Sequence, residues 1–171
     1  MEKEGLDVFG RKKRLLIPVA VFVGTLFLLF YSFPKAIELD HPAVEYRNDG
    51  SAQAELTRIR IKGILTRPLF RDGSFRGSIV IDKYDFTRTY KLAKVQLAQR
   101  DNTTTGLLIY FPVSTLLPVQ SLGMLRMSGD FERLIIYRPH VENGQVPYIL
   151  TAPARTLEEA LANQSLLEEE L

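Results

Sequence analysis

The spacing of apolar residues changes character three times along this chain, and each change predicts a different element. Residues 15–34 (LLIPVAVFVGTLFLLFYSFP) carry no charge, and 13 of the first 19 are Leu, Ile, Val or Phe. Twenty residues at about 1.5 Å rise span roughly 30 Å, the thickness of a bilayer's hydrocarbon core. On an insertion scale those side chains favour the membrane by roughly 4–8 kcal/mol. The run predicts a single transmembrane helix. A cleaved signal fits less well, because its apolar core would be about 7–15 residues and would end in small residues. This run ends in Phe30-Tyr31-Ser32-Phe33-Pro34, where Tyr31 and Phe33 suit an interfacial aromatic belt.

From Glu55 the period falls to two. Leu56-Thr57-Arg58-Ile59-Arg60-Ile61-Lys62 places Ile59 and Ile61 on one face and three cations on the other, the pattern of a half-buried strand. Asp72-Gly73 offers a turn, and 75–82 alternates again with Phe75, Ile79 and Ile81 inward. Residues 90–97 show neither clean alternation nor a helical stripe and are assigned to a strand. Further strands are expected at 106–111, at 122–127 and 131–138 around Ser128-Gly129-Asp130, and on either side of Asn143-Gly144. The period then lengthens. Thr156-Leu157-Glu158-Glu159 is a capping box, and Leu157, Ala160, Leu161, Gln164, Leu167 and Leu171 form one helical face.

These elements predict a mainly β protein: one N-terminal transmembrane helix, then an antiparallel β-sandwich or partly open barrel-like domain with a C-terminal α-helix. The expected divisions are a cytoplasmic basic tail (1–14), the span (15–34), a charged, turn-rich stalk (35–54) with a short strand near 44–47, and an extracytoplasmic domain (55–171) with its helix at 156–170. Arg11-Lys12-Lys13-Arg14 before the span, against Lys35, Glu38 and Asp40 after it, sets the N-terminus inside. The chain is thus expected in the cell membrane, in contact with the lipid bilayer. Cysteine is absent, so no disulfide framework holds the outer domain, which fits a bacterial envelope.

Charge sharpens the picture. Residues 35–171 are neutral in total, with 17 basic and 17 acidic side chains. Residues 55–100 nevertheless hold 11 basic and 4 acidic groups, and 155–171 hold 1 basic and 5 acidic. Arg58, Arg60 and Lys62 on one strand face, with Arg67, Arg71 and Arg76 nearby, form a candidate surface for an anion or a protein partner. The bland alternative is a solvated face, or one covered by the acidic C-terminal helix through Glu158 and Glu159. Nucleic acid is excluded as a partner by the outer location and the neutral total.

Catalytic chemistry is poorly represented. His41 and His140 lack ligand-spaced neighbours, so no metal is expected. No cofactor loop occurs, and no Ser stands in a nucleophile elbow. Asp82 and Asp85 form the one carboxylate pair worth weighing, and both sit where turn aspartates are ordinary. Tyrosines on strands without any Trp argue against a sugar platform. Ala20 and Gly24 form a small-x-x-x-small pair that would let two spans pack as a homodimer.

The expected function is a single-pass, non-enzymatic binding or regulatory module on the outer face of the cytoplasmic membrane, engaging a membrane protein or an anionic envelope component. The alternatives are a carboxylate-based envelope hydrolase and an accessory subunit acting through its span. The full chain should stay with membranes through an alkaline carbonate wash, and deleting 15–34 should release it. Wild-type chain in the washed supernatant would remove the anchor.

Overall fold

The computed structural model describes residues 18–27, 31–47, 49, 53–68, 71–100, 102–114, 116–138 and 147–169. A helix, α1, covers 18–27 with its side chains exposed. Nine strands follow: β1 (Ser32–Arg47), β2 (Ala54–Pro68), β3 (Gly73–Ile81), β4 (Lys91–Leu92), β5 (Val95–Arg100), β6 (Thr103–Phe111), β7 (Gln120–Ser128), β8 (Arg133–Arg138) and β9 (Tyr148–Ala152). The short helix α2 (Phe86–Thr89) lies between β3 and β4, and α3 (Leu157–Glu169) ends the described chain.

Leaving β4 aside, each strand pairs antiparallel with the next (β3 with β5), and β9 returns to pair with β1, so eight strands close into a barrel and the small β4 extends β5 along β6. The sandwich and the partly open barrel expected from the sequence are therefore replaced by a closed one. Closure removes the edges that an open sheet would have to protect. An eight-stranded barrel is just wide enough for side chains to fill, and Ile59, Ile61, Phe75, Ile79, Ile81, Leu108, Tyr110 and Leu134 are buried within it. The Tyr110 hydroxyl donates to the Ile79 carbonyl at 2.7 Å, which satisfies its one buried polar atom.

The stretch 35–47, expected as a stalk, forms most of β1, which pairs with β2 over fifteen rungs from Ser32↔Pro68 to Tyr46↔Ala54. Asp40-His41-Pro42 looks like a turn but lies in extended backbone. The strand also claims Ser32, Phe33 and Pro34 from the end of the apolar run. Among the described residues no helix is long and apolar enough to cross a membrane. Residues 15–17 and 28–30 of that run, and the tail 1–14, lie outside the described residues.

Two bulges explain the poor alternation in the sequence. Leu92 faces Tyr110 and Ala98 faces Thr105 on β6, so the β4–β5 strand carries one residue more than its partner between these rungs. Leu92 and Val95, three apart, both pack on the core. In β7 the register shifts opposite Leu108 and Ile109, and Leu122 and Leu125 both turn inward. Gly123 there has φ +135°, open to glycine but not to an ordinary side chain.

Both ends of the barrel are stoppered. Near the start of β1, Phe131 packs edge-on against Phe75, ring centroids 5.0 Å apart. It holds φ +67°, uncommon for a residue with a Cβ, and its complete burial offsets that strain. At the other end Tyr84, Phe86 and Tyr90 from the α2 segment pack on the core. Helix α3 begins as predicted: the Glu159 N–H donates to Thr156 Oγ1 at 3.2 Å, while Glu159 Oε2 accepts from the Arg155 N–H. Its Ala160 and Leu167 cover Val44, Tyr46, Ile135 and Ile149 outside β1, β8 and β9. Leu161, placed on that face by the sequence, is exposed.

Gly63 and Gly77 are paired across β2 and β3, and the Phe75 ring lies against Gly63 inside the wall. A Cβ on Gly77 would fall inside van der Waals distance of the Lys62 carbonyl. Gly77→Ala should cost about 1–3 kcal/mol, read from the denaturant midpoint of the full chain. An unchanged midpoint would show that the two strands can separate there at no cost.

Candidate anion-binding site

The β3–β5 ladder has three rungs, Gly73↔Leu97, Ser74↔Gln96 and Phe75↔Val95, and then stops. The next register position would set Arg76 opposite Lys94, beside the bulge that joins β4 to β5. Where the ladder fails, the outer wall carries a hollow of about 350 Å³. Alternation aims Thr66, Ser74, Arg76 and Gln96 outward into it; Ile64 and Pro68 form its apolar rim, and Arg71, Asp72 and Lys94 complete the lining.

Three cations thus share the hollow with one carboxylate, Asp72. Arg76 and Lys94 are exposed and make no ion pair among the described residues. Cations gathered in one hollow repel each other, so an anion bound among them would be favoured. Arginine supplies a planar fork of donors, and the Thr66 and Ser74 hydroxyls and the Gln96 amide supply more.

The other predicted cations stand elsewhere. Arg58 binds Asp40 at 3.1 Å, Arg60 binds Asp82 at 2.5 Å and Lys62 binds Glu38 at 2.9 Å, all on the exposed outer wall. Arg67 faces the barrel end, where Asp130 accepts both from it at 3.2 Å and from Lys35 at 2.5 Å. Carboxylates of β1 and the β3 end, not Glu158 and Glu159 of α3, thus partner the basic strand face. Of the six candidates only Arg71 and Arg76 reach the hollow, and Lys94 joins them although the sequence did not single it out. Its signal was the broken alternation of 90–97, which marks a bulge.

The two carboxylates weighed in the sequence sit in different surroundings. Asp82 lies between Arg88, at 2.7 Å, and Arg60, and these cations hold its pKa below the ordinary carboxylate value, the Arg88 bond foremost. Asp85 precedes α2 without capping it through its side chain. His41 faces inward with Nε2 buried and unpartnered among the described residues, His140 lies outside them, and no metal-ligand cluster occurs among them.

A second polar cluster closes the barrel end opposite α1. Glu45, nearly fully buried, pairs with Lys83 at 2.5 Å and Arg138 at 3.1 Å and accepts from the Tyr84 hydroxyl. Lys83 also binds Glu55, and the Arg138 guanidinium sits 4.0 Å from the Tyr84 ring centroid. Every charge here has a partner, so the arrangement works as a seal. Burial alone would lower the Lys83 pKa, but its bonds to Glu45 and Glu55 outweigh that and raise it. Burial, then the Glu45 carboxylate, pushes the Tyr84 phenol up.

No family model, curated protein or solved structure matches the chain.

Glu45→Ala should cost about 3–5 kcal/mol, because it leaves Arg138 and Lys83 without their buried counter-charge; a loss under about 1 kcal/mol would mean that water already solvates the cluster. The raised pKa values also set a direction with pH. Lys83 and Tyr84 hold their protons more tightly when folded, so their contribution is full below their unfolded values of 10.5 and 10.0 and is lost as pH climbs through the folded ones. Unfolding midpoints taken from about pH 8 to about pH 11 should fall, and fall less steeply in Glu45→Gln. Equal slopes would assign the alkaline loss to other groups.

Proposed function

We propose that this protein is a membrane-anchored, non-enzymatic binding module: residues 15–34 hold it in the cytoplasmic membrane, and the barrel stands on the outer face and engages an anionic envelope component or the acidic surface of a membrane protein. The observation that carries the reading is that Arg76 and Lys94 line the same outer-wall hollow and make no ion pair among the described residues. Apolar side chains fill the barrel, so binding belongs to its outside. The buried Glu45 cluster is internally neutralised and offers no free acid or base. A tethered barrel meets other membrane-bound partners at high effective concentration, so a modest contact suffices.

The test is capture from native membranes by the full chain, at low and high salt, with Arg76→Glu/Lys94→Glu beside Arg58→Glu/Arg60→Glu. Capture should be salt-labile and should be lost in the first variant. The second variant should capture more than the first, since Arg58 and Arg60 already have intramolecular partners. Wild-type capture by a folded Arg76→Glu/Lys94→Glu chain would sink this surface.

A further inference from the structure

The register places the hollow beside the point where the apolar run ends. Ser32 and Pro34, the last residues of that run to be described as strand, pair with Pro68 and Thr66, which line the hollow. Arg76 pairs with Ile64, four residues from Pro68, or about 13 Å along the strand. Headgroup layers are roughly 5–8 Å deep on each side of the hydrocarbon core, and long cationic side chains bend back toward such a layer. Phe27, Tyr31 and Phe33 form an exposed aromatic ladder at the same level, with centroids 5.0 and 4.8 Å apart. Aromatic side chains of this kind settle at the interface.

We infer that the hollow binds the phosphate of an anionic membrane lipid, with Arg76 and Lys94 clasping the charge, Ser74 and Thr66 donating to its oxygens, and the Ile64 and Pro68 rim lying against the glycerol and upper acyl chain. The inference rests on the membrane-anchored reading above and names the ligand of its surface. Free phosphate offers the same charge without the apolar part. The lipid is favoured because half-exposed Ile64 stands beside the cations and because the site adjoins the end of the run.

The full chain is reconstituted in nanodiscs of phosphatidylcholine alone, or with about a third phosphatidylglycerol, and hydrogen exchange is followed in peptides covering 71–78 and 93–97. Inorganic phosphate added to the phosphatidylcholine discs forms a third arm. Protection should appear with phosphatidylglycerol and not with phosphate alone. Arg76→Gln/Lys94→Gln should weaken it roughly 25-fold, at about fivefold per cation near a charged surface, with thermal unfolding unchanged because both side chains are exposed. Equal protection in both disc types overturns the inference. Protection reproduced by phosphate alone overturns the lipid and leaves an anion site. A chain that does not co-elute with discs overturns the anchor, and the lipid assignment with it, while the phosphate arm still reports on the hollow.

Discussion

The return of β9 onto β1 is the constraint on which the rest depends. Four rungs, Val44↔Thr151 to Arg47↔Tyr148, join residues about a hundred positions apart. Without them β1 and β9 would each present a bare edge, and the interior would open along that seam. The seat of α3 would also vanish, because Val44 and Tyr46 come from one side of the seam and Ile135 and Ile149 from the other. Glu45 stands on the seam opposite Leu150, so its ion pairs with Lys83 and Arg138 fasten the closing strand to β8 and to the end of β3. Above the seam β1 has no β9 partner, and the bridge from Lys35 to Asp130 on the β7–β8 turn spans the gap instead. Such distant contacts form late and slowly in folding.

How much of this was legible in the sequence depended on whether one face of a strand alone was buried. β2 and β3 meet that condition over most of their length, and Ile59, Ile61, Ile79 and Ile81 point inward as their spacing said. β1 does not. Its first half pairs Glu38 and Asp40 outside with Leu39 and His41 inside, while its second half buries Val44 and Tyr46 under α3 and carries Glu45 within the wall. No single period describes it, and Pro42 added the look of a turn. Residues 90–97 failed for a different reason, since one extra residue resets the phase between Leu92 and Val95. The cations were visible as a cluster, but which of them are neutralised depends on register: Glu38 opposite Lys62, and Asp40 opposite Arg60 yet bonded to Arg58. Register across separate strands is a property of the closed fold, so which acids partner Arg58, Arg60, Lys62 and Arg67 had to wait for it.

The filled interior divides the molecule's chemistry. Eight-stranded barrels that hold ligands keep their interior open, whereas here Phe131 stops one end and Tyr84, Phe86 and Tyr90 stop the other. On the reading proposed above, recognition falls to the wall. On the wall, the stretch where Arg58, Arg60 and Lys62 meet their acids is electrically balanced, at about 0–1 kcal/mol per exposed pair. Where the β3–β5 ladder ends, Arg76 and Lys94 make no ion pair among the described residues. The end of the β3–β5 hydrogen-bond ladder and these two cations coincide beside the single inserted residue between β4 and β5.

The fifteen rungs between β1 and β2 have a mechanical meaning. The Tyr31 N–H donates to the Phe27 carbonyl at 2.8 Å, so a hydrogen bond links α1 to the residue just before β1. A pull on the helix along the strand axis would load the β1–β2 bonds side by side, in shear, instead of peeling them one at a time. The fifteen rungs would share that load, so the wall would resist it as a unit.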